Sequence, residues 1–128
     1  MKLSEHEEQV IVCEWLDTAA VLRWPALAVV DGRLPYFAVP NGGKRHIATA
    51  KKLKAEGVRA GVPDLAIMVP RGRRPGLFIE MKVKKGGVHS KAQKAWDVGL
   101  YSVGYATAVC KGADAAIETI SHYLDGVI

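Results

Sequence analysis

Residues 63–83 read Pro-Asp-Leu-Ala-Ile-Met-Val-Pro-Arg-Gly-Arg-Arg-Pro-Gly-Leu-Phe-Ile-Glu-Met-Lys-Val, two apolar runs either side of a turn-forming cluster. Leu65–Val69 and Leu77–Val83 have the length and content of strands, and Pro70–Gly76 closes them into a hairpin. A polar side chain inside an apolar strand costs free energy unless it is paired, solvated or bound, so Glu80 and Lys82 are the informative anomaly. Strand side chains alternate, which puts Glu80 and Lys82 on one face and Ile79, Met81 and Val83 on the other. A hairpin closed over residues 70–76 also brings Asp64 beside them at its open end. Two carboxylates and one ammonium therefore converge at one end of a sheet.

Outward from the hairpin, helical and strand periods alternate. Ser4 and Glu7 form a capping-box pattern before a helix predicted over Glu5–Ala20, with Val12, Trp15, Leu16 and Ala19 on one stripe. Tyr36–Val39 reads as a short strand ended by the turn cluster Pro40–Gly43, and Ile47, Ala50 and Leu53 repeat at helical spacing up to Gly57. Ser90 caps a helix carrying Ala92, Ala95, Trp96 and Leu100; a strand at Tyr105–Cys110 and a helix over Ala113–Leu124 complete the chain. The order α, β, α, β, β, α, β, α predicts an α/β fold, a central mixed sheet flanked by helices.

The length of 128 residues fits one domain, expected over residues 1–128. The polar, acidic start and the lack of a long apolar run predict neither a signal peptide nor a membrane span, and place the protein in the cytoplasm. Cys13 and Cys110 have no Cys or His at metal-ligand spacing and are expected as small buried hydrophobes. Net charge is +5, unevenly spread: residues 44–94 hold 14 of the 18 Lys and Arg against three acids, a balance of +11, and the remainder carries −6. The middle of the chain is composed to meet a polyanion, with Lys44, Arg45, Arg71, Arg73, Arg74, Lys84 and Lys85 as the candidate contacts. For Lys51, Lys52 and Lys54 a solvated helix face is explanation enough.

Paired carboxylates suit a hard divalent cation, and Mg²⁺ in particular takes one or two of them plus water and substrate phosphate. With Lys82 to position water or stabilise developing charge, the constellation fits phosphodiester hydrolysis. The bland alternative is a Glu–Lys pair on a solvated sheet face, with Pro63-Asp64 merely opening a strand. Trp15 and Trp96 fall on apolar helix faces and are expected in the core, and none of the four histidines has a paired spacing.

Pro63-Asp64, sixteen positions to Glu80, and Glu80-Met81-Lys82 within a strand resemble the PD…(D/E)xK nuclease motif. Within that superfamily, Gly57-Val58-Arg59-Ala60-Gly61-Val62-Pro63-Asp64-Leu65, Lys85-Gly86-Gly87 and Ser90-Lys91-Ala92-Gln93 resemble the VRR-NUC family, especially its small stand-alone phage and bacterial members. The resemblance implies a restriction-endonuclease-like core and a Mg²⁺- or Mn²⁺-dependent DNA endonuclease. Asp64 and Glu80 would hold the ion with help from the Met81 carbonyl, with Lys82 catalytic beside them. It further implies an acid on the first helix with a glutamine one turn on, which Glu5 and Gln9 fit, Glu7 and Glu8 being rivals. Gln93 matches a glutamine that orients water or contacts phosphate. Asn41, Lys44 and Arg45 resemble a substrate loop. One departure is plain: Val58-Arg59-Ala60 stands where the family label has Val-Arg-Arg, leaving Arg59 as the basic contact there.

Stand-alone members resemble Holliday-junction resolvases, so branched DNA and a homodimer are the expected partners, in the host cytoplasm if the chain is phage-encoded. Tyr101, Tyr123, Val127 and Ile128 are candidates for the dimer surface. The alternatives are a restriction- or repair-type duplex endonuclease and a non-catalytic basic DNA-binding protein.

Overall fold

The computed structural model describes residues 2–40 and 47–126. The Ser4 hydroxyl accepts the Glu7 N–H at 3.1 Å and the Glu7 carboxylate accepts the Ser4 N–H at 3.0 Å, so the capping box starts α1 (Glu5–Asp17) as the sequence predicts. The helix stops short of Ala20. Thr18 donates its hydroxyl to the Glu14 carbonyl at 2.7 Å and leaves helical geometry with φ −124 and ψ −85, a β-branched residue whose hydroxyl competes for backbone partners. A short α2 (Ala19–Arg23) and a 3₁₀ turn (Pro25–Leu27) follow, neither expected from the sequence.

Four strands form one mixed sheet in the order β1 (Tyr36–Ala38), β2 (Leu65–Ile67), β3 (Leu77–Lys82), β4 (Ala106–Lys111). The first two pairings are antiparallel and β3 runs parallel to β4. Between strands come α3 (Ile47–Ala55), α4 (Lys91–Ser102) and, last, α5 (Ala113–Leu124). The strand beginning expected at Tyr105 starts one residue later because the Tyr105 N–H donates to the Leu100 carbonyl at the end of α4, at 3.0 Å.

One sheet face is covered by α1 and α5. Leu77, Ile79 and Met81 of β3 are buried there with Val12 and Leu16 of α1 and Ala116, Ile120 and Leu124 of α5. Each of these large side chains contributes about 1.5–3 kcal/mol on burial. Tyr123 belongs to the same core at 1% exposure, its hydroxyl donating to the Val69 carbonyl at 2.6 Å. That placement removes it from the surface expected to join two subunits. Tyr101 stays exposed, stacked under the Arg74 guanidinium, and Val127 and Ile128 lie outside the described residues. Cys110 is buried as expected and Cys13 half-buried, both free. No helix among the described residues is long and apolar enough to cross a membrane.

Glu8 joins the two ends of the chain. Its carboxylate is 2% exposed and accepts the Ala113 N–H at the start of α5 at 2.9 Å, where the helix dipole favours negative charge. Gly112 makes this approach possible: with φ +92, a Cβ here would lie 2.6 Å from Glu8 Oε2. Glu8→Ala strands a buried N–H and is expected to lower the unfolding free energy by about 2 kcal/mol. Urea titration checks this, with Glu8→Gln, whose amide oxygen still accepts, keeping most of the parent's stability.

Candidate active site

The hairpin register pairs Leu65 with Ile79, which sets Asp64 against the segment Glu80–Met81. β2 begins only after Pro63, and the Asp64 side chain takes over as ladder acceptor: Oδ2 receives the Met81 N–H at 2.7 Å, while its carbonyl receives the Val39 N–H at 2.8 Å. In an extended strand the N–H and C=O of one residue leave on the same edge, so the Met81 carbonyl is directed to the Asp64 side as well. Glu80 and Lys82, on the other sheet face from Ile79 and Met81, are 3% and 7% exposed. The alternative of a solvated Glu–Lys pair is thereby overturned.

The Glu80 oxygens are unequally served. Oε2 accepts the Gln93 amide at 3.0 Å and lies 4.0 Å from Lys82 Nζ, whereas Oε1 is buried with no donor. Burial pushes the Glu80 carboxyl up to about 8; Asp64, within hydrogen-bonding reach, and more weakly Glu5 push the same way against the pull of Lys82. Two adjacent acceptors without a donor are held together by a shared proton or by a cation. Among the described residues no group of three or more His, Cys, Asp and Glu side chains is gathered to ligate a metal. A cation at Asp64 and Glu80 would need further oxygen ligands, from main chain, water or the nearby Glu5.

Lys82 and Glu80 are each held by the segment that follows them. Gly87 lies across the lysine stem so closely that a Cβ would sit 3.0 Å from Lys82 Cβ. Gln93 is bound at both ends, its Oε1 accepting the Ser90 N–H at 2.8 Å in a second capping box and its Nε2 on Glu80. The sequence assigned Gln93 to water or phosphate; in the structure it orients Glu80. The Ser-x-x-Gln spacing of a capping box was the available signal for the half of this role that lies on the helix. His89, paired with Asp97 at 3.1 Å, ties the same connection to α4.

Of the three acids in the first turn of α1, Glu7 is spent in the capping box and Glu8 on α5, leaving Glu5, exposed, as the one whose charge is felt at Glu80. Gln9 is half-buried one turn on. The basic candidates separate. Lys84 and Lys85 follow β3 at the carboxylate end and, with Lys2, Leu3 and Glu8, line a cavity of about 290 Å³. Arg71, Arg73 and Arg74 lie in the turn at the closed end of the hairpin, and the structure does not bring them to the carboxylates. Two of them fasten that turn: Arg71 donates to the Leu124 carbonyl at 2.9 Å and Arg74 to the Gly104 carbonyl at 3.2 Å. Arg59 reaches back to the Lys54 carbonyl at 3.0 Å. Asn41, Lys44 and Arg45 lie outside the described residues. Trp96 is half-buried, its indole N–H donating to the Ala60 carbonyl at 3.1 Å. A cavity of about 670 Å³ between residues 30–37 and Met68 is at the far end of β2 from Asp64.

An α/β domain that gathers a half-buried Asp64 with the buried Glu80 and Lys82 at the open end of a hairpin, on a mixed sheet flanked by helices, is a nuclease-type core. Residues 4–114 match the VRR-NUC domain model, and the chain belongs to that family. It is similar to a solved structure described as a VRR_NUC domain protein, at 31% identity and a TM-score of 0.77, over 98% of this chain and 91% of the other. No curated protein matches.

The raised Glu80 carboxyl has a measurable consequence. The native state holds this proton more tightly than the unfolded chain, whose carboxyl titrates near 4.5, so its contribution to stability is lost as pH rises from about 4.5 to about 8. In chelator, Glu80→Gln is expected to gain stability over the parent across that window and to hold a constant advantage above it. Urea titrations at pH 5, 7 and 9 measure the gap; a gap independent of pH contradicts the assignment.

Proposed function

We propose that this VRR-NUC nuclease is a Mg²⁺- or Mn²⁺-dependent, structure-selective DNA endonuclease that hydrolyses phosphodiester bonds in branched DNA of the Holliday-junction kind. The observation that carries the reading is the buried Glu80 oxygen without a donor beside Asp64, with Lys82 alongside. Asp64 and Glu80 are the residues to hold the ion, with the Met81 carbonyl and Glu5 contributing. When bound, such an ion supplies Lewis-acid polarisation of the scissile phosphate and a more acidic water. Gln93 keeps the Glu80 carboxylate aimed into the site. Lys82, its stem clamped under Gly87, offers fixed positive charge for the oxygen on which negative charge grows in the transition state. Lys84 and Lys85 lie next along the chain to hold the DNA backbone.

Branched DNA is the substrate we favour, recognised by its shape through backbone contacts rather than by its bases. Two symmetric incisions need two identical sites, which a two-fold homodimer supplies.

Two expectations test the reading. Asp64→Asn and Glu80→Gln should each depress cleavage by about 10³-fold or more with the fold intact, a loss of several kcal/mol of transition-state stabilisation. Lys82→Ala should lower kcat while metal affinity, measured by calorimetry, stays nearly constant. Full activity in either carboxyl variant removes the site.

For substrate, an immobile four-way junction and its component duplexes are incubated with and without Mg²⁺ or Mn²⁺, with light scattering at micromolar protein. Paired nicks in the junction, only with metal and from a dimer, are the expected outcome. A monomer cutting linear duplex as readily would falsify the junction assignment and leave the nuclease standing.

A further inference from the structure

Helix α3 (Ile47–Ala55) lies between β1 and β2 in the chain. Among the described residues no other helix or strand packs against it. From position 48 to 55 every side chain is exposed except Leu53, which is half-buried. A nine-residue helix of this kind is marginal in water on its own backbone hydrogen bonds. Its surface has one dominant chemistry: Lys51, Lys52 and Lys54, with no acid inside the helix, and none of the three in an ion pair among the described residues.

The helix is nevertheless fastened to the site. At its end the Val58 N–H donates to the Leu53 carbonyl at 3.0 Å and Arg59 to the Lys54 carbonyl at 3.0 Å. The next residue, Ala60, receives the Trp96 indole of α4, and α4 is the helix that sets Gln93 on Glu80. The chain then runs through Pro63 into Asp64. A cationic arm is thus anchored to the same frame as the carboxylates.

We propose that α3 is a docking arm for the DNA backbone, its Lys51, Lys52 and Lys54 neutralising phosphates of the duplex arm that flanks the scissile bond. This rests on the nuclease reading and assigns a surface to it. Charge complementarity selects the occupant: a polyanion satisfies three ammonium groups that have no ion pair among the described residues and steadies the short helix at once.

The test uses the full chain in chelator, with a junction built from ordinary duplex arms. Each phosphate neutralised steepens the fall of log affinity with log salt by about 0.9. The variant Lys51→Ala/Lys52→Ala/Lys54→Ala, at exposed positions where alanine favours helix, should therefore show a slope shallower by about 2–3. Amide hydrogen exchange across residues 48–55 should slow on adding the same DNA to the parent protein. An unchanged slope with no protection overturns the arm. So does a variant that loses its self-association while its salt slope is unaltered, since α3 would then dock on a second copy. A parent protein that neither binds nor cuts DNA condemns the nuclease reading, whereas one that does both beside a variant of equal slope condemns the arm alone.

Discussion

A half-buried carboxyl, Asp64, held beside a buried one, Glu80, one oxygen of which has no donor among the described residues, is the constraint around which this fold is arranged. Like charges in a desolvated place repel, so something rigid must keep them there. The backbone does part of it: Asp64 acts as a ladder acceptor for Met81, which fixes its carboxylate at the end of β2. Gln93 does another part, spanning from its own helix cap to Glu80. Keeping them there costs stability, which the raised Glu80 carboxyl records.

Much of this was legible locally. A glutamate and a lysine two apart in an apolar strand cannot be ordinary packing, and strand alternation with a closed turn was enough to bring Asp64 to them. What the sequence did not carry was the choice among neighbours. Glu5, Glu7 and Glu8 look alike in a first helical turn; their fates are decided by a cap three residues away, by a backbone N–H 105 residues away and by the carboxylates of the hairpin. Only the first of those is a local pattern. The break at Thr18 and the burial of Tyr123 were hidden for a similar reason: each depends on a partner or a competition that periodicity does not encode.

Basic composition was likewise informative in sum and silent on direction. Arg71 and Arg74 counted towards the cationic middle of the chain, yet their guanidinium groups close a turn against backbone carbonyls. Arginine's planar donors suit such fastening, whereas the compact ammonium of lysine is more readily left in water. The division holds at the two ends of the hairpin. Arg71 and Arg74 secure the closed end of the hairpin, and Lys84 and Lys85 stay exposed at the open one.

The bond from Glu8 to Ala113 sets the order in which the molecule can be completed. In chain order α1 comes well before the hairpin, but the N–H that receives its buried carboxylate belongs to α5, and β4, which lies parallel to β3, also comes after the hairpin. Long-range pairings of this kind form only once the intervening chain is present. A nascent chain can therefore carry Asp64, Glu80 and Lys82 in their hairpin well before α1 is seated beside them. The frame around the carboxylates is closed only when β4 and α5 have joined the hairpin and α1.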